Sequence, residues 1–375
     1  MARDGLWRMT VFFAVFLSIW VGVNAYVFWR AASVPAALRV PRWAWVTLAV
    51  LLASSYVLAR ILYRFVPAFV AAPLEWIGAN WMGVVFLAFF GLLAVDVATG
   101  FGLFFRERIP ALRTGALVAA GVLSVVAVVQ ALRPPVVREH EIRIGGLPPG
   151  RDGTTLVLLS DLHLGTLLGK RWLNARIDQV NALRPDLVVL CGDILEGDSV
   201  REGEFGPLLS RFSARLGRYA VTGNHEYYAG IEESVRILRG AGFTVLRDEA
   251  VEVRPGFVLA GVDDLTARRQ FGKDGAPVQT ALAGRPAGAT IFLSHSPWKA
   301  DVAARDGVGL MLSGHTHAGQ IWPFGYFTRM QYPLLEGRYE VGGMTVIVCR
   351  GTGTWGPRMR LFRPSEMLRV TLRSG

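Results

Sequence analysis

The sequence predicts a layered α/β domain, a two-sheet β-sandwich flanked by helices, carried behind a region of four apolar helices. Three observations predict it. Hydrophobic residues make up 52% of the 375 positions, too many for a purely soluble chain of this length. The excess lies before Pro134, where long aliphatic and aromatic runs are interrupted by only 11 basic and 4 acidic side chains. Beyond Pro134, apolar runs of four or five residues alternate with amphipathic stretches, the rhythm of strands alternating with helices.

Taken in order, residues 1–133 hold four apolar runs near the roughly 20 residues that a hydrocarbon core requires: 9–29, 43–63, 81–104 and 112–132. Trp29, Trp43, Tyr63 and Trp81 stand at their ends and Arg30, Arg42, Arg64, Arg106 and Arg133 just outside, as interfacial aromatic belts and flanking charge do. The first run follows a basic start, like a signal peptide, but it is long and lacks a small-residue cleavage site, so a retained helix is expected. Arginines fall about equally on both sets of loops, so the charge rule assigns no orientation. Asp96, inside the third run, is expected to snorkel to the interface from its position near a Gly-rich end. The region as a whole predicts a multi-pass protein of the plasma or inner membrane, in contact with lipid.

Pro134 and Pro135 end the last run, and 134–153 reads as linker and first strand. The domain at 154–375 follows. Expected strands are Thr155–Leu159, Leu187–Cys191, Tyr219–Thr222, Phe243–Leu246, Val251–Val253, Phe257–Gly261, Thr290–Leu293, Gly309–Leu312, Met344–Cys349 and Met367–Leu372, with amphipathic stretches at Lys170–Leu183 and Phe205–Leu216. So many strands require two packed sheets. Cys191 and Cys349 both lie in strand-like runs, so no disulfide framework is expected. The net charge of +11 sits mostly on arginines flanking apolar runs, and no basic run with interleaved aromatics follows them. That suits lipid headgroups and excludes nucleic acid as the expected partner.

Chemistry enters with histidine. Of six, only His140 lies in the polar linker; His163, His225, His295, His315 and His317 each follow a strand-like run beside Asp, Asn or Gly. The settings are Asp161-Leu-His163, Gly-Asp193, Gly-Asn224-His225-Glu226, Ser-His295 and Gly-His315-Thr-His317. Loops at the carboxyl ends of strands in an α/β sheet converge on one crevice. Asp161, His163, Asp193, Asn224, His295, His315 and His317 are more donors than one ion needs, and imidazole mixed with carboxylate and amide suits two divalent ions such as Mn, Fe, Zn or Ni. Glycines 192, 223 and 314 precede ligand candidates, where the backbone must pass close to the site.

These five blocks, in this order, resemble the calcineurin-like metallophosphoesterases, over about Ile142–Leu372. The stretch Ser313–Gln320 and the tail Gly351–Arg358 resemble its membrane-associated bacterial branch, with Ala318 where Gly is usual. The resemblance implies that Asp161, His163 and His317 hold one metal, Asn224, His295 and His315 the second, and that Asp193 bridges them. It implies a phosphoesterase using metal-activated hydroxide, with His225 contacting phosphate and protonating the leaving oxygen while Glu226 holds its ring. Arg350 and Arg358, near the ends of the last strands, are candidates for recognising phosphate by bidentate hydrogen bonds. A site this close to the membrane helices favours a lipid-linked or nucleotide-diphospho-lipid substrate, the alternatives being a tethered generalist acting on soluble esters, or a sensor or transporter whose phosphoesterase-like domain is regulatory.

Overall fold

The computed structural model describes residues 2–63, 65–197, 203–273 and 275–375, without the side chains of 2–13, 16 and 68. It divides into a helical unit, Met1–Leu132 with Gly356–Leu361, and a sheet-containing unit, Arg133–Trp355 with Phe362–Gly375.

Among its described residues, the helical unit contains four long helices: α1 (Ala2–Ala31), α2 (Arg42–Leu62), α3 (Ala68–Ala98) and α4 (Ile109–Leu132). Among the described residues, three segments are long and apolar enough to cross a membrane: Arg42–Leu62, Phe69–Ala98 and Arg106–Leu132. The first expected run, 9–29, falls partly outside the described side chains. The third was expected at 81–104, yet α3 begins at Ala68 and stops at Ala98. Pro67 precedes its first turn and Pro73 is carried near its start, while Gly100, Phe101 and Gly102 take positive φ and break the helix where the apolar run continues.

Asp96 does not snorkel. It is fully buried, accepts hydrogen bonds from the Tyr26 hydroxyl at 2.6 Å and Arg113 at 2.9 Å, and lies 2.7 Å from Arg30 Nε. Arg113 also donates to the Ser33 hydroxyl at 2.9 Å, so one carboxylate ties α1, α3 and α4 together. A buried carboxylate persists only when paired in this way. The tail segment Gly356–Leu361 belongs to the same unit, where the Arg360 amide donates to the Ala127 carbonyl at 2.8 Å.

Among its described residues, the second unit holds two mixed six-stranded sheets. Their strands are β1 (Val136–Ile144), β2 (Thr155–Leu159), β3 (Leu187–Cys191), β4 (Gly217–Val221), β5 (Thr244–Val245), β6 (Glu249–Arg254), β7 (Phe257–Gly261), β8 (Ala289–Leu293), β9 (Leu310–Ser313), β10 (Gly337–Val341), β11 (Met344–Val348) and β12 (Glu366–Ser374). One sheet runs β1-β12-β2-β3-β4-β5 and the other β10-β11-β9-β8-β7-β6. β2, β3, β4 and β5 are mutually parallel, as are β7, β8, β9 and β11.

The continuous apolar runs are explained by burial on both faces. In β3, Leu187, Val189 and Cys191 point into the core shared by the two sheets, while Val188 and Leu190 pack under the covering helices with Leu173 and Ile177. In β9, Leu310 and Leu312 join the shared core and Met311 the opposite outer layer. The expected amphipathic stretch Phe205–Leu216 contains only a four-residue helix, Gly206–Leu209, and the chain then turns through Ser210–Ser213 into β4.

Candidate metal centre

The topology brings the strand-end motifs together. Asp161 follows β2, Asp193 follows β3 and Asn224 follows β4; His295 follows β8 and His315 follows β9. Parallel strands put these carboxyl-end loops on the same side of each sheet. The loops then fasten one another: the Asp161 amide donates to the Gly192 carbonyl at 3.0 Å, the His163 amide to the Asp193 carbonyl at 3.0 Å, and the Gly314 amide to the His295 carbonyl at 2.9 Å.

Five of the candidate ligands, Asp161, His163, Asp193, His315 and His317, adopt positive φ between 46° and 71°. Non-glycine residues in this region cost on the order of 1–3 kcal/mol each, and they persist where the surroundings enforce them, commonly at functional sites. Close approach accounts for Gly223, where a Cβ would stand 2.1 Å from Asp193 Oδ1, and for Gly192, where it would meet the His295 ring at 2.5 Å.

Among the described residues the donor atoms form three overlapping groups, one of them His163, Asp193 and His225. Asp161, His163 and His317 offer atoms within 4.8 Å of one another, as do Asp193, His295 and His315. His163 Nε2 and His317 Nε2 are 3.1 Å apart, with Asp161 Oδ1 3.3 Å from His317 Nε2. His315 Nδ1 and His295 Nε2 are 3.2 Å apart. Asp193 Oδ2 lies between the groups, 3.1 Å from His295 Nε2 and 3.8 Å from His163 Nε2. Ligand bonds of about 2.0–2.2 Å set neighbouring donors roughly 3–3.5 Å apart, so these spacings are those of ligands around a cation. The Asn224 Oδ1 is buried with no hydrogen-bond partner, as an acceptor awaiting a cation is.

The electrostatics fit the same occupant. Asp161 and Asp193 are buried, which alone would raise their pKa values, yet the neighbouring imidazoles hold both below the usual carboxylate range. His295 is the counterpart: burial disfavours its charge, but Asp193 and Asp161 raise it well above the ordinary histidine value. A proton on His295 thus compensates buried negative charge that a divalent ion would neutralise better. His315 is instead lowered to about 3 by burial and by His295, so its ring is neutral. Its Nε2 meets the Tyr332 hydroxyl at 2.7 Å, which leaves Nδ1 facing His295.

The calcineurin-like phosphoesterase family model matches residues 154–319. A Bos taurus "Transmembrane protein with metallophosphoesterase domain" is 36% identical over 300 residues, covering 76% of this chain and 67% of that one. The Danio rerio protein of the same name is 38% identical over 270 residues, covering 69% of this chain and 62% of that one. An Aquifex aeolicus "Uncharacterized metallophosphoesterase" is 35% identical over 246 residues, covering 63% of this chain and 91% of that one. The chain belongs to the calcineurin-like metallophosphoesterase family. It spans about three fifths to two thirds of the length of the two transmembrane relatives.

Within this metallophosphoesterase the two glutamates have different places. Glu226 does not face the His225 ring. Its Oε2 accepts from the Asp193 amide at 2.9 Å and the Gly223 amide at 2.7 Å, and its Oε1 from the Ile194 and Leu195 amides at 2.7 and 3.0 Å. As the third residue of the helix Asn224–Ala229 it reaches back to the residue that precedes the helix, and it clamps the Asp193 loop as well. The carboxylate at His225 is Glu196, whose Oε1 is 3.0 Å from His225 Nδ1 and 2.7 Å from His163 Nδ1.

No motif marked Glu196; its signal is only an acidic side chain three residues beyond Asp193 in the same strand-end loop. Burial would lower the pKa of His225, but Glu196 and Asp193 outweigh it and raise it to about 9. Arg350 pairs with Glu336 and lies 3.7 Å from Glu366, while Arg358 falls in the segment that groups with the helical unit.

Proposed function

We propose that this chain is a multi-pass, membrane-anchored phosphoesterase using two divalent cations. Asp161, His163 and His317 hold one, Asn224, His295 and His315 hold the other, and Asp193 is shared. The observation that carries the reading is the approach of ring nitrogens at 3.1 and 3.2 Å in two groups that converge on Asp193. When bound, the cations supply Lewis acidity toward phosphoryl oxygens and bring the pKa of water toward neutrality.

The side chains do the rest. Glu196 holds a proton on His225 Nδ1 and so directs Nε2 outward, where a proton carried on that atom passes to the leaving oxygen. The same carboxylate faces His163 Nδ1 and leaves Nε2 free as a ligand. Tyr228 and Trp355, with ring centroids 5.3 and 6.0 Å from that of His225, wall the imidazole and limit water around it. Arg350 and Arg358 are not needed by this reading.

Attachment to membrane-length helices favours phosphoesters or diphosphates presented at a bilayer in the plasma or inner membrane. Metal analysis of the purified chain, with hydrolysis of bis-p-nitrophenyl phosphate and a lipid diphosphate after loading with Mn, Fe, Zn or Ni, tests both parts. About two ions per chain are expected, with loss of metal and turnover in Asp193→Ala. A chain that kept no transition metal and cleaved neither ester would falsify the reading; full rates on the soluble ester with none on the lipid would remove only the lipid part.

A further inference from the structure

We propose that the segment Trp322–Met330 is a membrane-docking element that lies in the headgroup region of the bilayer. Tyr326 and Met330 are 68% and 84% exposed, and Trp322, Phe324 and Phe327 are about half exposed. The helix Gly325–Gln331, which carries most of them, buries none of its residues. Trp355 and Phe362 extend the patch, with the Trp322 and Phe362 rings 6.4 Å apart. Elsewhere on the described sheet-containing unit, the large apolar side chains this exposed are Val136, Tyr228 and Phe271. Single exposed hydrophobics are ordinary, but seven gathered on one short segment and its neighbours mark a docking surface.

The exposure is not that of a frayed loop. Ile321 and Tyr332 are buried at the two ends of the segment, and the side chain of Gln320 bonds both the carbonyl and the amide of Trp355 at 2.9 Å. Tyr332 also touches His315, so the segment is rooted in the metal centre.

A bilayer is the occupant its chemistry fits. Trp, Tyr, Phe and Met with one exposed cation, Arg329, and no acidic residue between Trp322 and Gln331 is the composition of an interfacial anchor. Only Arg133–Pro135 separates α4 from β1, a link of at most about 10 Å, so a membrane is the one large surface always within reach of this unit. The proposal concerns where the unit docks and stands whether or not the substrate is a lipid.

The test uses the full chain, one copy per nanodisc of phosphatidylethanolamine and phosphatidylglycerol, carrying Met330→Cys labelled with bimane. Cys191 and Cys349 are fully buried, so the introduced thiol takes the label. Lipids brominated on their acyl chains should quench it at least about half as strongly as a label at Leu51→Cys in α2, and far more than one at Glu340→Cys on β10. Phe327→Cys serves as a second reporter should the first variant misfold. Quenching no greater than at Glu340→Cys would overturn the proposal. So would an unquenched label that cross-links into dimers in detergent, which would give the face to a second copy of the chain.

Discussion

Glu226→Gln separates two accounts of a buried carboxylate that stands next to the proposed proton donor. Both oxygens of Glu226 are saturated by backbone amides, two on each, at 2.7–3.0 Å. Burial and Asp193 push its pKa up, but four donors leave no acceptor for a carboxyl proton, so the ionised form is the one this geometry holds. An amide of the same shape can satisfy one pair of donors; its NH2 group then faces the other pair. Two hydrogen bonds to a charged acceptor are lost, each about 1.5–3 kcal/mol, so the fold should lose about 3–6 kcal/mol.

For a domain of this size class, that lowers the melting temperature by roughly 6–24 °C. The assay is thermal unfolding of the full chain in detergent, followed by tryptophan fluorescence, beside turnover and metal content measured well below the transition. The Gln variant should melt early yet keep turnover within about tenfold of the parent, while His225→Ala melts normally and loses about 10²- to 10⁴-fold. An unshifted melting curve combined with a turnover loss equal to that of His225→Ala would refute the reasoning, because Glu226 would then act through the imidazole.

Glu196→Gln should do the reverse: little change in melting, with turnover down about 10²-fold and metal affinity down about 10- to 100-fold in a chelator competition, since its carboxylate orients both His225 and the proposed ligand His163. Gly223→Ala puts a methyl 2.1 Å from Asp193 Oδ1 and should cost metal occupancy measured by elemental analysis, whereas Gly240→Ala, with nothing within 4 Å, should leave it unchanged. Asp96→Asn leaves the buried Arg113 and the largely covered Arg30 without their counter-charge and should destabilise the helical unit by about 3–5 kcal/mol, read as earlier thermal aggregation in detergent; Asp96→Asn with Arg113→Met should recover part of that loss.

The two-sheet architecture was legible because its cause is local. A strand such as Leu187–Cys191, buried on both faces, has to be apolar at every position, and the Gly-Asp that follows marks where it ends. β10 escaped for the same reason. As an edge strand, Gly-Arg-Tyr-Glu-Val with no residue fully buried, it has no apolar run to show. The start of α3 was obscured by Pro73 and Glu75, polar punctuation that the helix carries because Glu75 meets Arg60 of α2 at 3.3 Å, a contact 15 residues away in the chain.

The candidate site divides along the same line. Donor residues could be found because each sits within four residues of a strand end, and strand ends converge by topology alone. The roles of the glutamates could not be found that way. Glu226 is adjacent to His225 in sequence, but a helix begins at Asn224 and turns its carboxylate back onto the amides of Gly223 and the Asp193 loop. Glu196, 29 positions from His225, reaches the ring because β3 and β4 are parallel neighbours whose exits lie side by side. Adjacency in sequence is therefore a poor guide to which acid serves which histidine here, and the register of two strands is a good one. It follows that a shift in the exit of β3 would move Asp193 and Glu196 together, changing cation binding and proton donation at once, whereas substitutions at Glu226 and Glu196 separate fold from chemistry.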